Sequence, residues 1–316
     1  MIHISYEDIK RVIKQEDLFA PVKQAFIDYA SPRLIGIPVN LLHFDDDADA
    51  HIKTAALKGY EYFSIKVATM FPQNVNRQLS PFNGAIFLFD AQTGEPKAIL
   101  QDKGLLTDLR TAAAGALITN HVTLSSMAKV AVIGTGIQAG LQVEALNLMR
   151  PIKELRIYGR NQNKAIALQQ KLSIALPSTI INITDQIESA VKESDIIITT
   201  TSSKSPLVKG AWLQKGQHIT AVGADDTFKH ELDGDCFSKA NEVFLDSLEL
   251  NQHYGEYAHQ DKSEDLTSKT VEFGKVFEDV EYVRYVDHIS IAKLVGVGVQ
   301  DLAAATTVME KLGHIN

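Results

Sequence analysis

Two cations in this sequence stand where a charge needs a chemical reason. Lys66 lies in YFSIKVATMF, a strand-like run whose alternation puts it on one face with Ser64 and Ala68 while Phe63, Ile65 and Val67 fill the other. An ammonium in that setting either reaches solvent from a sheet edge or faces a cavity that holds an anion. Arg110 lies in LLTDLRTAAAGAL. With Thr107 as N-cap it falls in the first helical turn, where the helix dipole disfavours a cation unless an anion is bound nearby; solvation at the surface is the alternative. Arg33, in Ser31-Pro32-Arg33, reads by itself as a loop arginine. An acid joins these cations, because Asp225 follows the strand-like HITAVG, and ligands of open α/β sheets sit outside the carboxyl ends of strands. That places Asp225 well for proton transfer; Asp226 is its rival, and a helix N-cap is the plain reading of either.

The stretch that organises the chain is Lys129 to Met149, KVAVIGTGIQAGLQVEALNLM. Its apolar run Val130 to Ile133, the turn Gly134-Thr135-Gly136 and the helically spaced Ile137, Leu141, Ala145 and Leu148 read strand, turn, helix. Gly134 permits the sharp reversal, Gly136 lets a pyrophosphate approach the backbone, and Ala139 takes the third small position where helix and strand pack. The amides of the first helical turn then face the phosphates. Beyond it strands and helices alternate through LRIYG, INIT, DIIITTT, HITAVGA and EVFLD, which predicts a doubly wound parallel sheet. The expected dinucleotide contacts are Gly134, Thr135, Gly136, Ile137 and Gln138, Arg160 and Asn161 after the second strand, and Thr200, Thr201, Val222 and Gly223 at later strand ends.

Ahead of Lys129 the texture differs. Ser5 and Asp8 mark a helix start, and Leu18, Val22 and Phe26 give a second helix its apolar side. From Ser31 to Phe89 strand-like runs are broken by Pro32, Pro38, Gly59, Pro72, Pro81 and Gly84, with Asp45 to Asp49 as an exposed turn and Asp90 to Gly94 as a hairpin turn. This is an antiparallel region. The tail, SIAKLVGVGVQDLAAATTVMEKL, is expected to form a helix that crosses back to the first domain.

Composition narrows the function classes. The 316 residues suggest two domains, and 45% hydrophobic with 22% charged residues is ordinary for a globular protein. A net charge of −8 and a pI near 5.7 disfavour nucleic acid. The single cysteine, Cys236, excludes an intramolecular disulfide framework, fits a reducing cytoplasm, and reads more simply as a small buried residue than as a nucleophile. No apolar run has the length of a membrane span, and no metal site is expected.

Taken in order, Pro-x-Arg at Arg33, IKVATMFPQN, LLTDLRTAAAGAL, VAVIGTGIQA and ITAVGAD resemble the ornithine cyclodeaminase and mu-crystallin family, and AKLVGVGVQDLAAA looks like that family's closing helix. The resemblance covers nearly the whole chain. It implies a homodimer with a discontinuous α+β substrate-binding and dimerisation domain (residues 1–120 and 295–316) and a Rossmann NAD(P)-binding domain between (121–294). It also implies that Arg33, Lys66 and Arg110 contact the carboxylate and imine of an amino or imino acid, and that Asp225 transfers the proton.

The reactions of such a family include ornithine cyclodeamination, alanine dehydrogenation and reduction of ketimines or Δ1-pyrroline-2-carboxylate, and a mu-crystallin-like binding role without catalysis is a further possibility. An acid usually holds the adenosine ribose at the end of the second strand. Here that strand ends Tyr158-Gly159-Arg160-Asn161, and an arginine there suits a 2′-phosphate, so NADP(H) is favoured with NAD(H) as the other option. Cyclodeaminases tend to carry an acid and a Met-Pro pair ahead of the lysine, whereas this chain reads Ile52-Lys53-Thr54-Ala55-Ala56. Lys53, if it faces the pocket, repels the distal ammonium of ornithine. The leading expectation is a cyclic imino acid reductase, with the cyclodeaminase second.

Overall fold

The computed structural model describes residues 1–36, 39–45, 48–260 and 266–315. Pro38, and Asp46 and Asp47 of the expected exposed turn, lie outside them. The chain forms two compact units, Met1–Thr111 with Val297–Asn316, and Ala112–Gly296.

The first unit is built on seven strands: β1 (Ile2–Ile4), β2 (Leu34–Gly36), β3 (Val39–His43), β4 (Asp49–Leu57), β5 (Tyr62–Met70), β6 (Phe82–Asp90) and β7 (Pro96–Leu100). They run in the order β1-β7-β6-β5-β4-β2, with β3 also pairing β4. Every pair is antiparallel except β1 with β7, which is parallel. α1 (Tyr6–Val12) starts at Ser5, whose Oγ accepts from the Asp8 amide. After it comes α2 (Phe19–Tyr29), which packs beside the C-terminal helix.

The sheet is buried on the face that carries Ser64, Lys66, Ile86 and Leu88, and half-exposed on the face that carries Phe63, Ile65, Val67, Phe87 and Phe89. The buried side is therefore the one with the lysine, not the one with the aromatic and branched residues. Lys66 is no edge residue either, since β5 has a partner on each side.

In the second unit α3 (Leu105–Val122), which begins in the first unit, leads to β8 (Lys129–Ile133), α4 (Ile137–Met149), β9 (Glu154–Tyr158), α5 (Gln162–Ala175), β10 (Ile180–Thr184), α6 (Ile187–Lys192), β11 (Ile196–Thr199) and β12 (His218–Ala221). There follow α7 (Gly234–Lys239), β13 (Glu242–Leu245), α8 (Leu248–Asn251), β14 (Thr270–Glu272), α9 (Phe273–Glu278) and β15 (Ser290–Lys293). Eight strands form one parallel sheet in the order β10-β9-β8-β11-β12-β15-β13-β14. The doubly wound parallel sheet expected from the alternation is present. Cys236 is buried in its core, where burial first, and Asp233 second, push the thiol well above its usual range.

The tail departs from expectation. Ser290–Lys293 is not the start of a helix but β15, fully buried between β12 and β13. Gly296, at φ +81°, breaks the chain there, and the helix α10 (Gly298–Lys311) begins only afterwards, in the first unit. Its start is tied to β4 by Gly298, where a Cβ would strike the carbonyl of Thr54. No helix among the described residues is long and apolar enough to cross a membrane.

Candidate functional site

The first unit holds a cluster of buried charges. Lys66 Nζ lies 2.7 Å from Asp301 Oδ2 and donates to Thr107 Oγ1 at 3.3 Å. Arg110 donates through Nε to Asp301 Oδ1 at 3.0 Å and through NH1 to Gln300 Oε1 at 2.8 Å. Lys66, Arg110, Gln300 and Asp301 are all at most 3% exposed. Burial works to raise the Asp301 carboxyl, but Arg110 and Lys66 outweigh it and hold the group below its usual range. Burial drives Lys66 the other way, well below the usual lysine range; Asp301 opposes this, while Arg110 and Lys53 add to it. Asp301 therefore stays anionic, and Lys66 owes its proton to it.

Arg110 occupies the second turn of α3. The helix opens at Leu105, and the N-cap is not Thr107: the Leu106 amide donates to Asp102 Oδ2 at 3.0 Å, after a reversal through Lys103 and Gly104 at φ +50° and +88°. Asp102 is buried, which raises its carboxyl, with Lys66 opposing.

Lys53 belongs to the same cluster. In the β4–β5 register it is the direct partner of Lys66, and residues directly opposite on antiparallel strands project from one face. It is 5% exposed. Two positive side chains face each other across the buried side of the sheet.

Two further polar atoms give the cluster its chemical direction. Gln300 Oε1 accepts from Arg110 and from the Val297 amide, which fixes the orientation of the side-chain amide. Its Nε2 has no hydrogen-bond partner among the described residues, and neither has Ser64 Oγ, two positions along β5 from Lys66. A buried donor without an acceptor is costly unless a ligand supplies one. Cations and donors in this number suit a carboxylate, which a guanidinium can bind in two-pronged fashion.

Arg33 does not join this cluster in any contact among the described residues. Its largely exposed guanidinium donates to Asp28 Oδ1 at 2.9 Å, and Tyr60 Oη and Gln24 Nε2 donate to Asp28 Oδ2 at 2.6 and 3.1 Å. Burial and the Asp28 carboxylate together raise the Tyr60 phenol above its usual range.

The second unit supplies the dinucleotide features. Gly134 adopts φ +128°, and a Cβ on it would lie 2.5 Å from Thr200 Oγ1. Gly136 is the N-cap of α4 and has no neighbour within 4 Å of where a Cβ would stand, while Ala139 is buried. The reversal, the open approach to the helix amides and the close packing are those a pyrophosphate requires, so these residues fit the group. Ile137 is exposed at the mouth of the turn and Gln138 half-buried; Thr135 packs on Gly159. Arg160 is exposed, with no hydrogen bond or ion pair among the described residues, and Asn161 caps α5 by accepting from the Lys164 amide.

The later strand ends are tied down from below. Buried Glu231 accepts from the Thr201 amide at 2.5 Å, the Gly223 amide at 2.8 Å and Thr199 Oγ1 at 2.8 Å. Lys293 pairs with Glu256 at 2.8 Å and donates to the Ala224 carbonyl at 2.5 Å; neither side chain is exposed. Thr200 bonds the Ile133 carbonyl and the Val222 amide bonds that of Thr199. Asp225 projects from this fixed loop, partly exposed, and accepts from Lys229 Nζ at 2.6 Å. Asp226 differs: its Oδ1 accepts the amides of Phe228 and Lys229, both at 2.7 Å, so it serves as a turn cap.

Asp301, Gln300, Glu231 and Lys293 carried no role in the sequence reading. The sign that could have exposed Asp301 is an acid inside a run of small apolar residues, VGVGVQDLAAA.

Comparison with known proteins adds the following. The model of the ornithine cyclodeaminase/mu-crystallin family matches residues 2–315. An uncharacterized cyclodeaminase of Sinorhizobium fredii is 36% identical over 294 residues, 92% of this chain and 88% of the relative. The structure of Thermococcus litoralis Δ1-pyrroline-2-carboxylate reductase in complex with NADH and L-proline matches with a TM-score of 0.90 at 25% identity, over 99% of this chain and 98% of that one. An archaeal alanine dehydrogenase dimer with bound NAD matches with a TM-score of 0.89 at 27% identity, over 99% and 96%.

Proposed function

Because the chain belongs to the ornithine cyclodeaminase/mu-crystallin family, we propose that it is an NAD(P)H-dependent reductase of a carbon–nitrogen double bond beside a carboxylate, the reaction that turns Δ1-pyrroline-2-carboxylate into L-proline. The observation that carries this reading is the buried set of Lys66, Arg110 and the unsatisfied Gln300 amide, which suits one carboxylate held away from water.

The dinucleotide, held by Gly134 to Gln138 and by the fixed strand ends at Thr200, Thr201, Val222 and Gly223, supplies the hydride. Lys66 and Arg110 bind the carboxylate and orient the adjoining carbon. Asp225, or a water it orients, manages the proton at nitrogen, and Lys229 beside it moderates that charge. Arg33 closes on the carboxylate in this reading only by leaving Asp28. Exposed Arg160, where an acid would favour NAD(H), supports NADP(H) as the preferred cofactor.

The half-exposed Phe63, Ile65, Val67, Phe87 and Phe89, with Phe63 stacked on Phe89 at 4.9 Å, form an apolar sheet face that supports a homodimer. A cyclodeaminase of ornithine is the second reading, and it would bring an ammonium into a cluster that already contains Lys53 beside Lys66. The two are separated by following NADH and NADPH oxidation with Δ1-pyrroline-2-carboxylate and with 2-oxo acids plus ammonia, and ammonia release from L-ornithine with NAD+. Imine reduction without ornithine deamination is expected; deamination without imine reduction would replace this reading.

A further inference from the structure

Asp225 stands on a turn whose backbone is held by groups from distant parts of the chain. The Ala224 carbonyl lies in the same peptide plane as the Asp225 amide, and it accepts from Lys293 Nζ at 2.5 Å. On the other side of Asp225, the Asp226 carbonyl accepts from the Gly255 amide at 2.9 Å. Ahead of both, the Gly223 amide donates to Glu231 at 2.8 Å. The turn is therefore fastened immediately before and immediately after the residue that carries the acid.

The fastenings are joined to one another. Lys293 pairs with Glu256 at 2.8 Å, and Glu256 Oε1 accepts from the Glu231 amide at 2.9 Å. The path thus runs from Gly223 through Glu231, Glu256 and Lys293 to Ala224, back to the turn where it began. None of the three ionisable side chains is exposed. A buried ion pair is often no more stabilising than apolar residues of the same size, so stability alone does not account for this one. Packing around it is close as well: a Cβ on Gly255, at φ +71°, would lie 2.6 Å from Lys293 Cε and 2.7 Å from the Ala224 carbonyl oxygen.

We propose that Lys293 is a positioning residue, which with Glu256 and the Gly255 amide sets the peptide planes on either side of Asp225 and so fixes the direction in which its carboxylate points. The inference rests on the imine-reductase reading, in which Asp225 manages the proton at nitrogen. Lys229 acts on the same acid in another way, since it touches the carboxylate at 2.6 Å whereas Lys293 holds the backbone ahead of it. Precision of this kind matters to rate, because a displacement of about 1 Å in a reacting group costs on the order of a hundredfold.

The test uses the full chain with NADPH and Δ1-pyrroline-2-carboxylate. One variant combines Lys293→Met with Glu256→Gln, which removes the ammonium and its counter-charge together. A second, Gly255→Ala, keeps every charge and presses on the Ala224 carbonyl instead. Each is made in the natural protein and in Asp225→Asn, with folding followed by thermal unfolding and NADPH fluorescence titration. In the natural background kcat is expected to fall about tenfold or more, with KM for the imine changed about twofold or less. In Asp225→Asn the same changes should cost almost nothing further, because a residue that acts through another loses its effect once that other is gone. An equal loss of kcat in both backgrounds, the mark of a merely structural role, overturns the inference, as does an undiminished kcat in the folded variants; either leaves the reductase reading standing. If the natural protein reduces no imine, the reductase reading falls and the same cycle is read on ornithine deamination or alanine oxidation with NAD+. An Asp225→Asn protein with unaltered kcat in the reaction catalysed, or a natural protein that turns over none of these substrates, leaves no acid to position and removes the inference.

Discussion

Asp301 governs how two cations behave. Lys66 sits where burial, Arg110 and Lys53 all work against its proton, and the Asp301 carboxylate at 2.7 Å is what retains it. A lysine whose pKa is lowered is charged below that pKa and loses its charge as pH rises through it. We therefore expect the KM for the substrate carboxylate to rise with pH over a range below that in which a solvated lysine titrates. In Asp301→Asn that rise moves to still lower pH, which a KM-against-pH profile of both proteins reads directly. The same substitution leaves two buried cations without their anion and should cost about 3–5 kcal/mol in urea unfolding. These pairings were beyond the sequence for a simple reason. Arg110 and Asp301 are separated by 191 positions, and neither helical nor strand periodicity carries information over that distance. Lys66 was legible because its own strand pattern isolates it. The facing of Lys53 was not, because it depends on the register of β4 against β5.

At the scale of elements, the glycine turn was the most legible feature, since strand, turn and helix are contiguous in the chain. Gly134→Ala would force a side chain onto a residue at φ +128° and against Thr200. It should destabilise the fold by about 1–3 kcal/mol and weaken dinucleotide affinity, measured by thermal unfolding and by NADPH fluorescence titration. The ends of β11 and β12 depend on groups drawn from distant segments, Glu231, Glu256 and Lys293. Lys293→Met removes the partner of Glu256, leaving a buried carboxylate unpaired, and is expected to cost about 3–5 kcal/mol in the same unfolding measurement. β15 itself escaped the sequence reading because four buried residues running into VGVGV also fit the apolar lead-in of a helix. Only the strands on either side of it decide the matter.

For the whole molecule, the sheet face bearing Phe63, Phe87 and Phe89 leads to an expectation about assembly. Phe87→Glu should shift the protein from dimer to monomer in light scattering behind size exclusion; a natural protein that is already monomeric would refute the homodimer. Cofactor choice is tested separately, because Arg160→Ala should lower the NADPH-to-NADH ratio of kcat/KM by about tenfold if a 2′-phosphate pairs there. Both features lie on exposed or half-exposed surface, where sequence patterns are weakest and chemistry alone suggests a role.

The placing of Gln300 and Asp301 beyond Gly296 has a consequence for biosynthesis. The parallel-sheet unit, Ala112–Gly296, is a single uninterrupted segment, whereas the antiparallel unit lacks α10 until the residues after Gly296 have been made. During that interval Lys66 and Arg110 have no Asp301 to neutralise them, and the side of the sheet that α10 will cover stands open. The unit that holds Lys66 and Arg110 is thus completed only by the segment after Gly296, and a chain that ended there would leave that side of the sheet uncovered and its two cations without their anion.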